Sequence, residues 1–323
     1  KIKNKLYKSG AYWKYKNKKT IYQIKKKSLK NFRGLHSGIG TSFSDNLIYD
    51  IKNELSLKGR ILSFFYSIPL LNRIYERQLK ITSTHISNFL KLQSIVFEKN
   101  ERVKYLLEKY TFHETTEFGC VQKFNYNNKE YSCHYLEMAN RIDFINKFID
   151  FKNIKKYFEI GGGFGSNIHF LLKNFKNINK IIYLDSVPNI YIGTQYLKKF
   201  FGNNVIDYLK TKETSEIKFS ENNELEIICI TPWQIEKLNI EIDHFHNAAS
   251  FVEMPNEVIS NYVKYIFKNK PKTISLVSYD GFNPKSTFDP KELNIFFNNS
   301  LKIYENSKII NELKRQNLYL IKN

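Results

Sequence analysis

The 323-residue chain is expected to fold as an α/β protein, a mostly parallel sheet covered by helices behind a mostly helical N-terminal region. Three observations predict this. From about residue 135 onward, short apolar runs alternate with helical patterns, as in a parallel sheet with both faces covered. In "YFEIGGGFGSNIHFLLKNF" (157–175) an apolar strand runs into a glycine-rich loop and then a helix. Before residue 110, apolar residues recur at three- and four-residue spacings rather than in alternation.

The elements follow in order. "LIYDIKNELSLKGRILSFFYSIPLLNRIYERQL" and "HISNFLKLQSIVFEKNERVKYLLEKY" carry the helical period, and "RGLHSGIGTSFSDN" (33–46) separates them from the start of the chain. "KFNYNNKEYSCHY" reads as a hairpin turning at Asn127 and Asn128. We divide the chain into a basic, helical accessory region, 1–134, and an α/β domain, 135–323. In the domain, "KKYFEI" (155–160) is the first strand and "SNIHFLLKNF" the first helix, with Ile168, Leu171, Leu172 and Phe175 on one face. "KIIYLD" (180–185) is the second strand, followed by the helix "NIYIGTQYLKKFFG" with Gly202 as its C-cap. "LEIICITPW" (225–233), "IDHFHNAAS" (242–250) and "KTISLVSYDG" (272–281) are three more strands. The helix "NEVISNYVKYIFKN" joins the last two, and "LKIYE" and "NLYLIKN" form a closing antiparallel pair. There is no internal repeat.

Composition narrows the function classes. The net charge is +20, but residues 1–44 hold 13 Lys and Arg and no acid, so the rest is only mildly basic. A lysine-rich solvated surface accounts for most of this. An anionic partner for the N-terminal segment, a membrane surface or nucleic acid, stays open. Cys120, Cys133 and Cys229 are widely spaced, with no CxxC pair, which suggests neither a zinc site nor a disulfide framework. No apolar run approaches the ~18 residues of a membrane span. A reduced cytoplasmic protein is expected, with peripheral membrane contact through the basic segment left open. His113, Glu114 and Glu117 lack the HExxH spacing, and no metal site is expected.

The glycine loop carries the most information. A P-loop needs Gly-Lys-Ser/Thr after its glycines, and none is present. The dinucleotide fingerprint GxGxxG would begin at Gly161 and Gly163, but its third glycine position is Ser166. The spacing that fits is acid-x-G-x-G-x-G: Glu159, Gly161, Gly163 and Gly165, with Gly162 between. Asp185 ends the second strand 24 residues after Gly161. There a carboxylate can accept from both hydroxyls of a ribose, in charge-assisted bonds worth roughly 1.5–3 kcal/mol each.

The loop resembles the first motif of class I S-adenosyl-L-methionine-dependent methyltransferases. The resemblance implies a Rossmann-like sheet and a loop wrapped around the methionine part of the cofactor. It implies cofactor contacts from Glu159, Gly161, Gly162, Gly163, Gly165, Asp185 and Ser186. A narrower resemblance joins "FEIGGGFGSNIHFLL", "YLDSVPNIYIGTQYL" and "HNAASFVEMPNEVISNYV" to a family of sugar O-methyltransferases. Asn247, Ser250, Phe251, Glu253 and Met254 carry its later motif, N-x-x-S-[FL]-x-E-M. It departs from the family where His246 precedes and Ala248 follows the Asn. "YWKY" and "LKNFRG" near the N-terminus are similar to the same family.

Methyl transfer to a hydroxyl is an in-line displacement that needs positioning and a general base. His246 and Glu253, just past the fourth strand, are the two candidates. Asn247 is expected near the cofactor, Trp233 beside its adenine, and Arg141 within reach of its carboxylate. The acceptor is expected to be a small molecule or glycan, a sugar hydroxyl above all. A base flipped out of nucleic acid fits less well, because "NAAS" lacks the proline and aromatic residue that would clamp it. A non-catalytic cofactor-binding scaffold is the remaining alternative. The accessory region is expected to roof the pocket and to support a homo-oligomer.

Overall fold

The computed structural model describes residues 4–8, parts of 13–33, 95 and 97–120, 123–279, 292–307 and 315–322. The glycine-containing stretch from 34 and the helical patterns of 47–94 lie outside the described residues. The chain divides into two compact units, one of residues 18–137 and one of 1–17 with 138–323.

In the smaller unit, helix α1 (Glu101–Lys109) starts at Asn100, whose side chain accepts from the Val103 amide at 3.1 Å. Strands β1 (Phe124–Tyr126) and β2 (Lys129–Tyr131) form the hairpin that the Asn-Asn pair predicts. Asn127 and Asn128 both take positive φ, 47° and 61°, the twist a two-residue hairpin turn requires. Arg33 is fully buried. It donates to the Thr115 carbonyl and to Ser132 Oγ, and it lies over the Tyr135 ring.

Among the described residues, the larger unit is built on eight strands. After helix α2 (Cys133–Ile145) come β3 (Lys156–Ile160), α3 (Ser166–Asn174), β4 (Lys180–Leu184) and α4 (Asn189–Phe201). Next are β5 (Val205–Ile206), α5 (Tyr208–Lys212), β6 (Glu226–Ile230), β7 (His244–Ala248) and α6 (Asn256–Lys268). β8 (Thr273–Tyr279), α7 (Leu293–Phe296), β9 (Lys302–Ser307) and β10 (Arg315–Lys322) close the chain. The sheet order is β5-β6-β4-β3-β7-β8-β10-β9, with β10 antiparallel to both its neighbours. With the two-residue edge strand β5 set aside, the seven others lie in the order 3-2-1-4-5-7-6, and the seventh is reversed. That is the class I methyltransferase arrangement of a Rossmann-like sheet.

This topology positions the site. From β3 the chain steps outward through β4 and β6, then crosses back to β7 on the other side of β3. The carboxyl ends of β3 and β7 therefore flank the switch point, where open parallel sheets bind ligands. One sheet face is apolar: Phe158, Ile160, Ile182, Leu184, Ile228, Phe245 and Leu276 pack with Ile259 and Ile266 of α6. The other face, by strand alternation, carries Tyr157, Glu159, His244, His246 and Ser275, all buried.

The N-terminal boundary differs from the expected division at 134/135. Residues 1–17 belong to the sheet unit. The reason is Tyr7, 5% exposed within the apolar face, whose hydroxyl donates to Glu236 Oε1 at 2.5 Å. Among the described residues no helix is long and apolar enough to cross a membrane.

Candidate active site

The loop after β3 begins by pairing Gly161 N–H with the Leu184 carbonyl at 2.8 Å, so it leaves the sheet in register with the end of β4. Gly161, Gly163 and Gly165 take φ of 75°, 62° and 85°, a region that L side chains rarely adopt. A Cβ on Gly162 would meet the Glu159 carboxyl and the Tyr183 ring at 3.1 Å, and one on Gly165 would press into Leu197 of α4. From below, the Tyr183 hydroxyl donates to the Gly163 carbonyl. Ser166, which displaces the dinucleotide fingerprint, is the first residue of α3.

Asp185 faces this loop. Its Oδ2 accepts from Gly163 N–H at 2.8 Å and its Oδ1 from Ser186 N–H at 2.6 Å. Ser186 thus reaches the site through its backbone. Ser186 Oγ, 3.5 Å from Oδ1, and the Asn189 side chain also bond this carboxyl, so a ligand hydroxyl would share its lone pairs with them. Burial pushes Asp185 up to about 7, against the pull of those two amides and Asn189, and the charge of Glu253 adds to the rise. Val187, two residues on, is 52% exposed, an apolar surface beside the carboxylate that the sequence did not single out.

The Asn247 side chain is engaged between the two strand ends. Its Nδ2 donates to the Ile160 carbonyl at 2.8 Å and to Ser250 Oγ, and its Oδ1 accepts from Phe251 N–H at 3.2 Å. Ser250 Oγ also donates to the Ile160 carbonyl, at 3.3 Å. The side chains of the N-x-x-S motif therefore lash the end of β7 to the end of β3.

The two base candidates part company. His246 is 0% exposed inside the sheet, with Nδ1 paired to Ser275 Oγ at 2.7 Å. Burial, Arg141 and His244 hold its imidazole well below the usual range, and its Nε2 has no partner among the described residues. It sits two residues inside the strand end, enclosed beside Tyr157, so the expected place at the edge is corrected. Glu253 lies past the edge, in a short 3₁₀ turn (Phe251–Glu253), partly exposed. Its Oε2 accepts from the indole N–H of Trp13 at 2.9 Å.

Arg141 donates to Asn167 Oδ1 at 2.9 Å, and Asn167 Nδ2 donates to Glu159 Oε1 at 2.6 Å. This chain runs beneath the glycine loop. Burial pushes Glu159 up to about 7, with Asn167 and Arg141 pulling it down. Tyr157, buried on the same sheet face, also bonds the Glu159 carboxyl and pulls it down. Trp233 is half-buried against the core beyond β6, with Lys237 Nζ 4.9 Å from its ring centre. Among the described residues no group of His, Cys, Asp and Glu is arranged to hold a metal ion.

The residues present fit a cofactor with an adenosine and an amino-acid end. The loop offers glycine backbone at three left-handed positions, and Asp185 sets a carboxylate opposite it.

No protein-family model matches the chain, and no curated protein sequence does. Among solved structures it is similar to a mitomycin 7-O-methyltransferase, at 9% identity and a TM-score of 0.41 over 59% of this chain and 55% of that one. It is similar to human N-acetylserotonin methyltransferase in complex with S-adenosylmethionine, at 9% identity and 0.38 over 59% and 54%. It is also similar to the methyltransferase domain of a bacterial Hen1, at 14% identity and 0.39 over 57% and 98%. The match thus spans little more than half of the first two. Likeness at this level carries no argument about this chain.

Proposed function

We propose that this chain is an S-adenosyl-L-methionine-dependent O-methyltransferase whose acceptor is a sugar hydroxyl. The observation that carries the reading is the pairing of Gly163 N–H with Asp185 Oδ2 across the switch point. It sets a glycine-rich loop against a carboxylate suited to ribose hydroxyls, and Glu253 follows β7 on the other side of β3. When bound, the cofactor supplies an electrophilic methyl group on a sulfonium. The chain's own residues do the rest. The loop backbone approaches the amino-acid end, and Asp185 accepts from the ribose hydroxyls. Glu159, with Arg141 and Asn167 behind it, supports the loop. Glu253 takes the proton of the acceptor hydroxyl, a role suited to a carboxylate at the strand edge. Asn247 and Ser250 keep the two strand ends in fixed relation, so that positioning supplies much of the acceleration. The sugar acceptor rests on the resemblance of the N-x-x-S-F-x-E-M segment.

The test is a screen of nucleotide sugars and glycans with isotope-labelled S-adenosylmethionine, read by mass spectrometry. Label on a sugar oxygen is expected. Label on nitrogen, or on protein or nucleic acid alone, overturns the sugar acceptor.

A further inference from the structure

The bond between Trp13 and Glu253 joins residues 240 apart in sequence, one in the N-terminal segment and one beyond the end of β7. Trp13 is half-buried, and its segment is fastened to the sheet unit a few residues earlier, where Tyr7 enters the apolar core. Glu253 lies near enough to Asp185 for its charge to act on that carboxyl. An indole N–H is a donor only, so it can hold an ionised carboxylate but cannot take its proton.

We propose that Trp13 is a positioning residue of the acceptor site: its indole N–H orients the Glu253 carboxylate, and its ring forms an aromatic wall on the acceptor side. This rests on the reading of Glu253 as the general base. A ring in that place suits an acceptor with an apolar face and polar rim, which is the chemistry of a pyranose. The N-terminal segment is then part of the acceptor site rather than a free basic tail.

The chain has two tryptophans, Trp13 and Trp233. Its indole N–H region in a ¹⁵N-correlated NMR spectrum therefore holds two resonances, assigned with Trp233→Phe. Glu253→Ala is expected to move the Trp13 indole resonance upfield and speed its exchange with water, leaving Trp233 in place. A Trp13 resonance that does not move overturns the proposal. Titration with UDP-glucose in the presence of S-adenosylhomocysteine is expected to shift Trp13 and not Trp233; a shift of Trp233 alone contradicts the aromatic wall. With an acceptor from the label screen, Trp13→Phe is expected to lower kcat about tenfold at unchanged KM for the cofactor, from one charged-group hydrogen bond. Trp13→His, which keeps a ring N–H, is expected to recover part of it. A Trp13→Phe effect confined to KM, with no recovery, means a structural role only and overturns the positioning. The two failures separate cleanly: full turnover in Glu253→Gln sinks the base reading, whereas an unmoved Trp13 resonance sinks the pair.

Discussion

A Cβ built on Gly161 would lie 2.1 Å from Ser250 Oγ, so the first loop glycine and the turn after β7 are fitted to each other. The fit is held by Asn247, which bonds both Ser250 and the carbonyl just before Gly161. Gly161→Ala is expected to lower the melting temperature and weaken S-adenosylhomocysteine binding. A left-handed non-glycine residue alone costs roughly 1–2 kcal/mol, and the clash adds to it. Adding Ser250→Gly should return part of the loss. Calorimetry of the single and double variants checks this, and no recovery in the double variant contradicts the fit.

The pH dependence follows from two buried carboxyls. Asp185 rises from 3.8 and Glu159 from 4.5, each to about 7, chiefly through burial. The folded protein thus holds protons that the unfolded chain releases between about pH 4 and 7. Their contribution to stability is fully present below that window and is lost as pH rises through it. Ribose hydroxyls donate best to ionised Asp185, so S-adenosylhomocysteine affinity should rise from pH 6 to pH 8. Affinities measured at the two values check it; a flat or reversed profile contradicts the ribose role.

His246 and Glu253 differ in place, and so should their variants. Glu253→Gln is expected to cost on the order of 10²–10⁴ in kcat with cofactor affinity preserved. His246→Gln is expected to lower the melting temperature, by disturbing a buried pair with Ser275, while turnover stays within about tenfold. The reverse ranking in labelled methyl-transfer assays would return the base to His246.

Tyr7 should anchor the N-terminal segment. Tyr7→Ala is expected to cost about 3 kcal/mol, as for other large buried aromatics. An unchanged denaturation midpoint would detach the segment from the sheet unit.

Much of this was readable in the sequence, for local reasons. Strands buried on both faces read as continuous apolar runs, and "KIIYLD" and "LEIICI" became β4 and β6. The second run ended early because Pro232 opens a 3₁₀ turn closed by a Thr231–Gln234 capping box. β5, only Val205 and Ile206, is too short to leave a pattern. The enclosed place of His246 has a local signal: His244 and His246 flank Phe245, so all three are buried in a sheet covered on both faces. The docking of Tyr7 and Trp13 had no local signal, because their partners lie more than two hundred residues away. Asn247 shows a further limit: a motif names the residue type at a position, not the atoms it serves.

The crevice between the glycine loop and Asp185 is the proposed seat of S-adenosylmethionine. Titration calorimetry of the full chain with S-adenosylhomocysteine and with NAD, repeated on Asp185→Asn, tests it most directly. Binding of S-adenosylhomocysteine is expected, about 10–100-fold weaker in the variant for the loss of charge-assisted ribose bonds, with no binding of NAD. Binding of NAD without S-adenosylhomocysteine, or equal affinity for S-adenosylhomocysteine in the variant, would contradict it.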